Sequence, residues 1–404
     1  MLRINSIEIN AIGGIENLTI PFNEGFNLIC GPNGIGKTTI LDCISQSVSG
    51  HSPKSIRRKS SHNTGVWTTK MVFEGTPVVH QSSIKIFHPH EPLHASYQIL
   101  QRNFDNYQEL SASLITYKTN RYFEHLKVDS IKADKKEQED SISAINGVLF
   151  GSTKNWFINR QLFSAHQGTL SHNQLKNLEL AKGLFSALDT SVCFKTMKAD
   201  TFDIILSTKD GSDIYFEYLS SGFKSSLYIL FSLIKEIEYR FKDPDIYVCD
   251  FNGVLIIDEL DLHLHPEWQA RMIRVLKNLI PKAQIIATTH SPHMLQVSDA
   301  NEVIPLGFDQ TGNVILRKVD SNEYGFQGWS VEEILTDVMG LDNVHSELYI
   351  TTIKSFEVAL DEDNKEKAEK AFKILDKMLH PRNHLRKILK IQMASLGDLH
   401  DKNK

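Results

Sequence analysis

Apolar and polar positions alternate over residues 2–10 (Leu-Arg-Ile-Asn-Ser-Ile-Glu-Ile-Asn), which predicts a half-exposed strand. Gly13-Gly14 turns the chain, and residues 18–22 can return as its hairpin partner. A short apolar run at 25–30 predicts a buried strand, and an amphipathic helix starts at Thr39 and runs out near Gly50. Strand-like stretches recur at 68–73, 83–87 and 113–117, whereas 128–143 is charged and polar. Residues 155–170 and 175–188 are helical in pattern, and a hairpin is expected from 202–207 and 213–218 around Lys209-Asp210-Gly211. Leu227, Leu230, Phe231 and Ile234 recur at helical spacing within a helix over 224–241, which Asp243-Pro244 breaks. Two continuously apolar runs, 253–257 and 284–289, read as central parallel strands buried on both faces, with a helix after Pro266 between them. From Gly328 onward amphipathic helices are expected at 331–340, 345–359, 364–379 and 384–393, the third capped by residues 361–364.

Strands alternating with helices predict an α/β sheet with ligands at the carboxyl ends of its strands. Chemistry enters at the turn between strand 25–30 and the helix after it. There Gly31-Pro32-Asn33-Gly34-Ile35-Gly36-Lys37-Thr38 has the Gly, four residues, Gly-Lys-Thr pattern of a phosphate-binding loop. The glycines let backbone N–H groups close on phosphate oxygens, and the helix N-terminus adds partial positive charge. The residues expected to bind ATP are Asn33, Gly34, Ile35, Gly36, Lys37, Thr38 and Thr39. Lys37 would neutralise the β- and γ-phosphates, and the Thr38 hydroxyl would ligate Mg²⁺. After strand 253–257, Asp258-Glu259 forms a Walker B element: Asp258 would hold Mg²⁺, and Glu259 would orient and deprotonate the attacking water. ATP and Mg²⁺ are the expected substrate and cofactor.

A chain of 404 residues can hold one large domain or two or three small ones. Its 41% hydrophobic and 23% charged residues are those of a globular protein. A net charge of −5 supplies no global basic field, so nucleic-acid contact would need a local patch or a partner. The basic stretch 51–60 lacks periodicity and reads as a solvated loop. Cys30, Cys43, Cys193 and Cys249 are scattered, which argues against a zinc site or a disulfide framework and for a reducing compartment. Residues 1–5 lack a signal peptide's apolar core and no apolar run approaches a membrane span, so a cytoplasmic location is expected.

Between the two nucleotide elements lies Leu219-Ser220-Ser221-Gly222-Phe223-Lys224-Ser225. It resembles the signature of ATP-binding-cassette ATPases, in the Leu-Ser-x-Gly-x-Lys/Arg-Ser form of chromosome-maintenance, double-strand-break-repair and overcoming-lysogenization-defect heads. The resemblance implies that Ser220, Ser221, Gly222 and Lys224 meet the γ-phosphate held by a second copy of the chain. Phe223 departs from the usual Gln or Glu. The string Asp258-Glu259-Leu260-Asp261-Leu262-His263-Leu264-His265-Pro266 is similar to the Walker B and D-loop region of a bacterial branch that includes phage-defence ATPases. That similarity makes Asp261 a D-loop residue at a dimer interface, and gives His263 and His265 structural rather than metal-binding places. Thr288-Thr289-His290-Ser291-Pro292 resembles the switch-histidine element, so that His290 would bond to the γ-phosphate and sense its loss. Gln81 and Gln98 both remain open as the glutamine-loop residue. Tyr117-Lys118-Thr119-Asn120-Arg121 resembles a Tyr-x-x-x-Arg segment of the defence branch, and Arg121 is a candidate subunit contact or phosphate-proximal cation.

Within that branch, compact size, a short helical insertion and an all-helical C-terminus without nuclease motifs resemble the ATPase subunits of the Septu anti-phage defence system, which also occur with retrons. The resemblance implies a P-loop NTPase of cassette type: a mixed central sheet, an antiparallel N-terminal β subdomain and a helical insertion at about 125–200. The head would span 1–320, and 321–404 would be a helical assembly or partner-binding region. The implied partners are a second copy in a head-to-head dimer or higher oligomer, a separate HNH-type nuclease, and nucleic acid (DNA, or retron RNA and DNA) in the complex. A repair or chromosome-type head binding DNA directly, and an ATP sensor with little turnover, are the alternative readings.

Overall fold

The computed structural model describes residues 1–53, 55–88, 96–121, 130–242, 244–341 and 344–401, the side chains of 395 and 397–401 excepted. Lys54 of the basic stretch, the start of the insertion near 125 and Asp243 of the predicted helix break lie outside the described residues.

The chain opens with β1 (Leu2–Ile12) and β2 (Ile15–Pro21), a hairpin turned at Gly13-Gly14. The period-two pattern of β1 slips at Asn5-Ser6, and its pairing with the later strand Gly65–Phe73 shifts register at that point, between Ile4 and Ser6. β3 (Phe26–Cys30) and α1 (Lys37–Ser49) flank the glycine loop. Then come β4 (Gly65–Phe73), β5 (Thr76–Ile84), β6 (Tyr97–Arg102), α2 (Tyr107–Ala112) and β7 (Leu114–Tyr117). The insertion runs past the expected end near 200 and is not all helical: it holds α3 (Asp140–Asn146), α4 (Thr153–Phe163), α5 (His172–Leu188), β8 (Val192–Met197), β9 (Ile204–Thr208) and β10 (Asp213–Tyr215). α6 (Ser221–Arg240) leads to β11 (Val254–Ile257), α7 (Pro266–Leu279), β12 (Gln284–Thr288) and α8 (Pro292–Gln296). β13 (Val303–Phe308) and β14 (Val314–Leu316) follow, then α9 (Val331–Glu333), which continues into a π-helical turn at Ile334–Val338. Last come α10 (Glu347–Asp361), α11 (Lys365–Met378) and α12 (Leu385–Asp401).

Among the described residues the strands make three sheets. The central one has the order β14-β13-β3-β12-β11-β7, parallel except for the β13–β14 pair. Alternate residues of its inner strands enter different cores. Leu28, Leu255, Ile285 and Ala287 pack with α6, α7 and the insertion, while Ile29, Val254, Ile256 and Ile286 pack with α1 and the antiparallel sheet β2-β1-β4-β5-β6. Both faces are covered, which is why these strands read as unbroken apolar runs. The third sheet, β10-β9-β8, belongs to the insertion.

α6 is buried on nearly all sides and ties the insertion to the central sheet. Phe231 stacks on Phe157 of α4 with ring centroids 5.0 Å apart. Glu238 accepts bonds from Trp156 Nε1 (2.8 Å), Arg160 Nε (2.8 Å) and Asn177 Nδ2 (3.1 Å), so its buried charge is fully partnered.

Several elements escaped the sequence pattern. Glu74-Gly75, both left-handed (φ 49° and 79°), form a two-residue turn, so β5 starts at Thr76 and ends at Ile84 rather than occupying 83–87. β13 contains Pro305 and Gly307, which argue against a strand by composition, yet it pairs with β3 on one side and β14 on the other. The chain divides into two compact units, Met1–Gly340 and Leu341–Lys404. Residues 321–340 fall in the first unit, because Phe326, Ile334, Val338 and Met339 are buried in its core. The second unit builds its own core from Phe356, Ala359, Ala368, Ala371, Leu375 and Leu389. Among the described residues no helix is long and apolar enough to cross a membrane.

His80 on β5 is 1% exposed and bonded to Tyr107 Oη (3.0 Å) and Ser82 Oγ (2.6 Å). Burial, with Arg102 nearby, lowers its pKa from 6.5 to about 4. The unfolded chain therefore takes up this proton first, and the stability from the neutral ring is lost as pH falls from about 6.5 to 4. The loss should approach about 3 kcal/mol at pH 4. Urea unfolding of wild type and His80→Asn across that range should show an extra acid sensitivity in wild type alone; equal pH slopes would remove His80 as its source.

Candidate nucleotide site

β3 ends directly in the glycine loop, and α1 starts at Lys37 with no side chain capping its N-terminus at Gly36. Gly31, Gly34 and Gly36 take φ values of 143°, 75° and 103°, a region open to glycine, and so aim backbone N–H groups that other residues could not. A Cβ at Gly31 would also lie 2.6 Å from the Leu306 carbonyl oxygen. An uncapped helix N-terminus behind such a loop suits an anion. Asn33 and Gly34 are exposed, whereas the Ile35 side chain is buried in the core, so that residue can meet a ligand only through its backbone. Thr39 is half-buried beside Gly13. Lys37 is 6% exposed, with Nζ donating to the carbonyls of Gly31 (2.9 Å) and Pro32 (3.0 Å). Burial lowers its pKa, opposed by Cys30, Glu259, Asp258 and Asp261.

The register places the remaining groups. Ile257 pairs with Ala287 across the parallel β11–β12 ladder, so Asp258 and Thr288 end adjacent strands side by side. The Asp258 carboxylate accepts from Thr38 Oγ1 at 2.9 Å on one oxygen and from Thr288 Oγ1 at 2.8 Å on the other. Thr288 Oγ1 accepts in turn from the Glu259 N–H at 2.6 Å. Glu259 sits at φ 49°, an unfavourable backbone for a residue with a Cβ, held also by the Leu260 N–H bonded to the Thr288 carbonyl (2.8 Å). Asp261 Oδ1 accepts from Thr289 Oγ1 (2.6 Å) and from the His290 N–H (3.0 Å), so the residue assigned to the D-loop is tied to the switch segment of its own chain. His290 is half-buried, and burial together with the Lys37 cation lowers its pKa, leaving the ring neutral near pH 7.

Arg121 is 5% exposed, so within this chain little of its side chain is open to a second subunit. Its Nη2 donates to the carbonyls of Asp258 and of Glu259 (3.2 Å to the latter), and Nε to the carbonyl of Lys118 at 3.0 Å. Burial lowers its pKa to about 10, and Asp258, Asp261 and Glu259 oppose that shift. Gln81 and Gln98 lie on the β5–β6 ladder of the antiparallel sheet, and Gln81 donates to Thr68 Oγ1 (3.0 Å). The polar segment that follows β7, beside the end of β11, is 118–121.

The structure thus brings the glycine loop, Asp258, Glu259, Asp261, His290 and Arg121 to one edge of the sheet. The signature segment is different. Ser220 and Ser221 are exposed at the start of α6, where Ser220 Oγ accepts from the Phe223 N–H (3.3 Å), and Lys224 Nζ donates to the Glu217 carbonyl (2.8 Å). Among the described residues no hydrogen bond or ion pair joins this segment to the glycine loop. A Cβ at Gly222 would lie 2.6 Å from the His263 carbonyl oxygen, so packing inside the chain already demands glycine there. Phe223 is 2% exposed and meets the Trp268 edge at 5.6 Å; this side chain turns inward, away from the surface that Ser220 and Ser221 present. No cluster of three or more His, Cys, Asp or Glu forms a metal site among the described residues, and His263, His265 and His290 do not converge on one.

Thr288 had no role in the sequence reading, because its position beside Asp258 depends on strand order. Thr288→Val keeps the shape and leaves both the Glu259 N–H and one Asp258 oxygen without this partner. It should destabilise the head by about 1–3 kcal/mol, read as a lower urea midpoint. An unchanged midpoint would mean that other groups or water satisfy both.

Comparison with known proteins gives the family. A family model described as "AAA domain, putative AbiEii toxin, Type IV TA system" matches residues 26–295, from the first residue of β3 into α8. A "Septu protein PtuA" of Bacillus thuringiensis is 47% identical over 403 residues, covering 98% of this chain and 99% of that protein. A "Retron Vc95 probable ATPase" of Vibrio cholerae serotype O1 biovar El Tor is 32% identical over 152 residues, covering 37% of this chain and 28% of that protein. Among solved structures, the SMC head domain from Thermotoga maritima has a TM-score of 0.45 at 14% identity, covering 79% of this chain and 100% of that one. With the family model matching residues 26–295, and near-complete coverage in both directions of a protein at 47% identity, the chain belongs to the AAA-domain ATPases of the Septu PtuA family.

Proposed function

We propose that this chain is the ATP-hydrolysing subunit of an anti-phage defence assembly, in which two heads close around ATP and control a partner nuclease of HNH type. The observation that carries the catalytic reading is the Asp258 carboxylate, bonded at once to Thr38 of the glycine loop and to Thr288, whose oxygen also holds the Glu259 N–H. Residues 33–39 cradle the triphosphate through backbone N–H groups, and Lys37 leaves its carbonyl partners for phosphate oxygens. Thr38 and Asp258 offer the hard oxygen donors that Mg²⁺ prefers, and the ion would supply charge neutralisation between the β- and γ-phosphates. Glu259 orients and deprotonates the attacking water. His290 donates one ring N–H to the γ-phosphate, and its link through Asp261 passes loss of that phosphate to the segment after β11.

The signature residues act on the other copy. Ser220 and Ser221 stand exposed at the start of a 20-residue helix and are free of their own glycine loop, which suits an anion presented from outside. ATP favours the closed pair only through contacts made when closed. The nuclease partner and the defence role rest on the likeness to the Septu protein, and nucleic acid enters through that complex.

Glu259→Gln should bind ATP while losing turnover by about 100-fold or more, and should accumulate as an ATP-bound dimer in light scattering. Turnover at the wild-type rate would remove Glu259 as the base. Ser221→Glu should keep ATP binding yet fail to dimerise with ATP, because it sets a carboxylate against the incoming γ-phosphate. If it dimerises normally, the signature does not act in trans. Pull-down of tagged wild type from its host should recover a stoichiometric HNH-type nuclease, and recovery of the homo-oligomer alone would count against that partner.

A further inference from the structure

We propose that Arg121 is a positioning residue for hydrolysis: it clasps the backbone of Asp258 and Glu259 from the neighbouring strand end and so sets the direction of the Glu259 carboxylate. The inference deepens the ATP-hydrolysis reading and rests on it.

β7 runs parallel to β11, with Tyr117 level with Ile257, so both strands stop at the same edge. The Asp258 N–H donates to the Tyr117 carbonyl at 2.8 Å, the last rung between the two strands. Beyond that rung β11 has no further ladder with β7, and its chain turns at Glu259 into a left-handed conformation, φ 49°. A guanidinium occupies the place where the next rungs would be. Nη2 meets the carbonyls of both Asp258 and Glu259, while Nε holds the Lys118 carbonyl at 3.0 Å. One planar group thus joins the turn after β7 to the turn after β11. On the opposite side Thr288 holds the Glu259 N–H. The Glu259 peptide is therefore gripped from β7 on its carbonyl side and from β12 on its amide side, and those two grips select the φ that aims the side chain. A fork of fixed geometry can serve several carbonyls at once; a lysine ammonium is a point donor on a flexible stem and cannot reproduce it. Nη1 is buried and has no hydrogen-bond partner among the described groups, so the fork is not exhausted by its three carbonyl contacts.

The test uses the full-length chain with Arg121→Lys and Arg121→Ala. The expected result is a fall in kcat of tenfold or more in both, with KM and the affinity for a non-hydrolysable ATP analogue changed by less than twofold. Millimolar guanidinium should restore part of the turnover of Arg121→Ala and none of that of Arg121→Lys. Independently of turnover, hydrogen exchange at the amides of 259–261 should quicken in both variants without nucleotide, while that of β12 stays at the wild-type rate. Wild-type kcat, or loss of ATP affinity with kcat retained, would overturn the proposal, the latter by making Arg121 a phosphate contact. Equal acceleration of exchange across the whole central sheet, without chemical rescue, would make it a stability residue only. If the wild-type chain binds ATP but never hydrolyses it, the hydrolysis reading fails by itself, and unchanged exchange at 259–261 would still separately refute the clasp.

Discussion

The candidate site is referred to a single carboxylate. Asp258 stands at the end of the buried strand β11, 2% exposed, where an unpartnered charge would be strongly disfavoured. Its two oxygens are held by hydroxyls from two other places in the chain, Thr38 on the glycine loop and Thr288 on β12. Because β12 lies between β3 and β11 in the sheet, this bridge spans three parallel strand ends and sets the distance between the phosphate loop and the paired acids Asp258-Glu259. The left-handed Glu259, the Asp261 contact with the switch segment and the Arg121 clasp all hang on the position of that strand end.

The burial of the parallel sheet on both faces is what makes the bridge rigid. Side chains of the inner strands alternate between two cores, one shared with α1 and the antiparallel sheet and one with α6, α7 and the insertion. Shifting any one strand by a residue would exchange the two sets of side chains and move its functional terminus, so register and site geometry are selected together. α6 extends the same logic outward. Its N-terminus carries the signature residues and its C-terminal half carries Glu238, held by Trp156, Arg160 and Asn177 of the insertion. The insertion and the signature surface thus share one helix.

Several residues have more than one physical reason for their identity. Gly222 fits the signature pattern, yet it is also required by the close approach of the His263 carbonyl. Phe223 departs from the signature pattern because its position is spent on the core, against Trp268. Asp261 has the D-loop position, and within the chain its carboxylate orders Thr289 and the His290 backbone. In each case the residue's identity answers to packing or hydrogen bonding inside its own head.

The chain's order of strand, glycine loop, helix, apolar strand with paired acids, and second apolar strand was legible from residue type and period, because each of these is local and its chemistry needs particular side chains at fixed spacing; the segments at 219–225 and 288–292 took their expected roles from family resemblance. So were the buried strands, since coverage on both faces writes itself into a run of apolar residues, and the C-terminal helices, since their apolar period is 3.6. What the sequence could not determine was adjacency between strands far apart in the chain. Thr288 becomes a partner of Asp258 only through the β11–β12 register, and Arg121 becomes a clasp rather than a surface cation only because β7 lies beside β11. β13 forms despite Pro305 and Gly307 because β3 and β14 supply its ladders, and 321–340 joins the head because Phe326, Ile334 and Val338 find a core there. Local motifs depend on bonds between near neighbours, which sequence encodes directly; strand order and burial depend on packing free energy summed over the whole chain, which only the folded structure resolves.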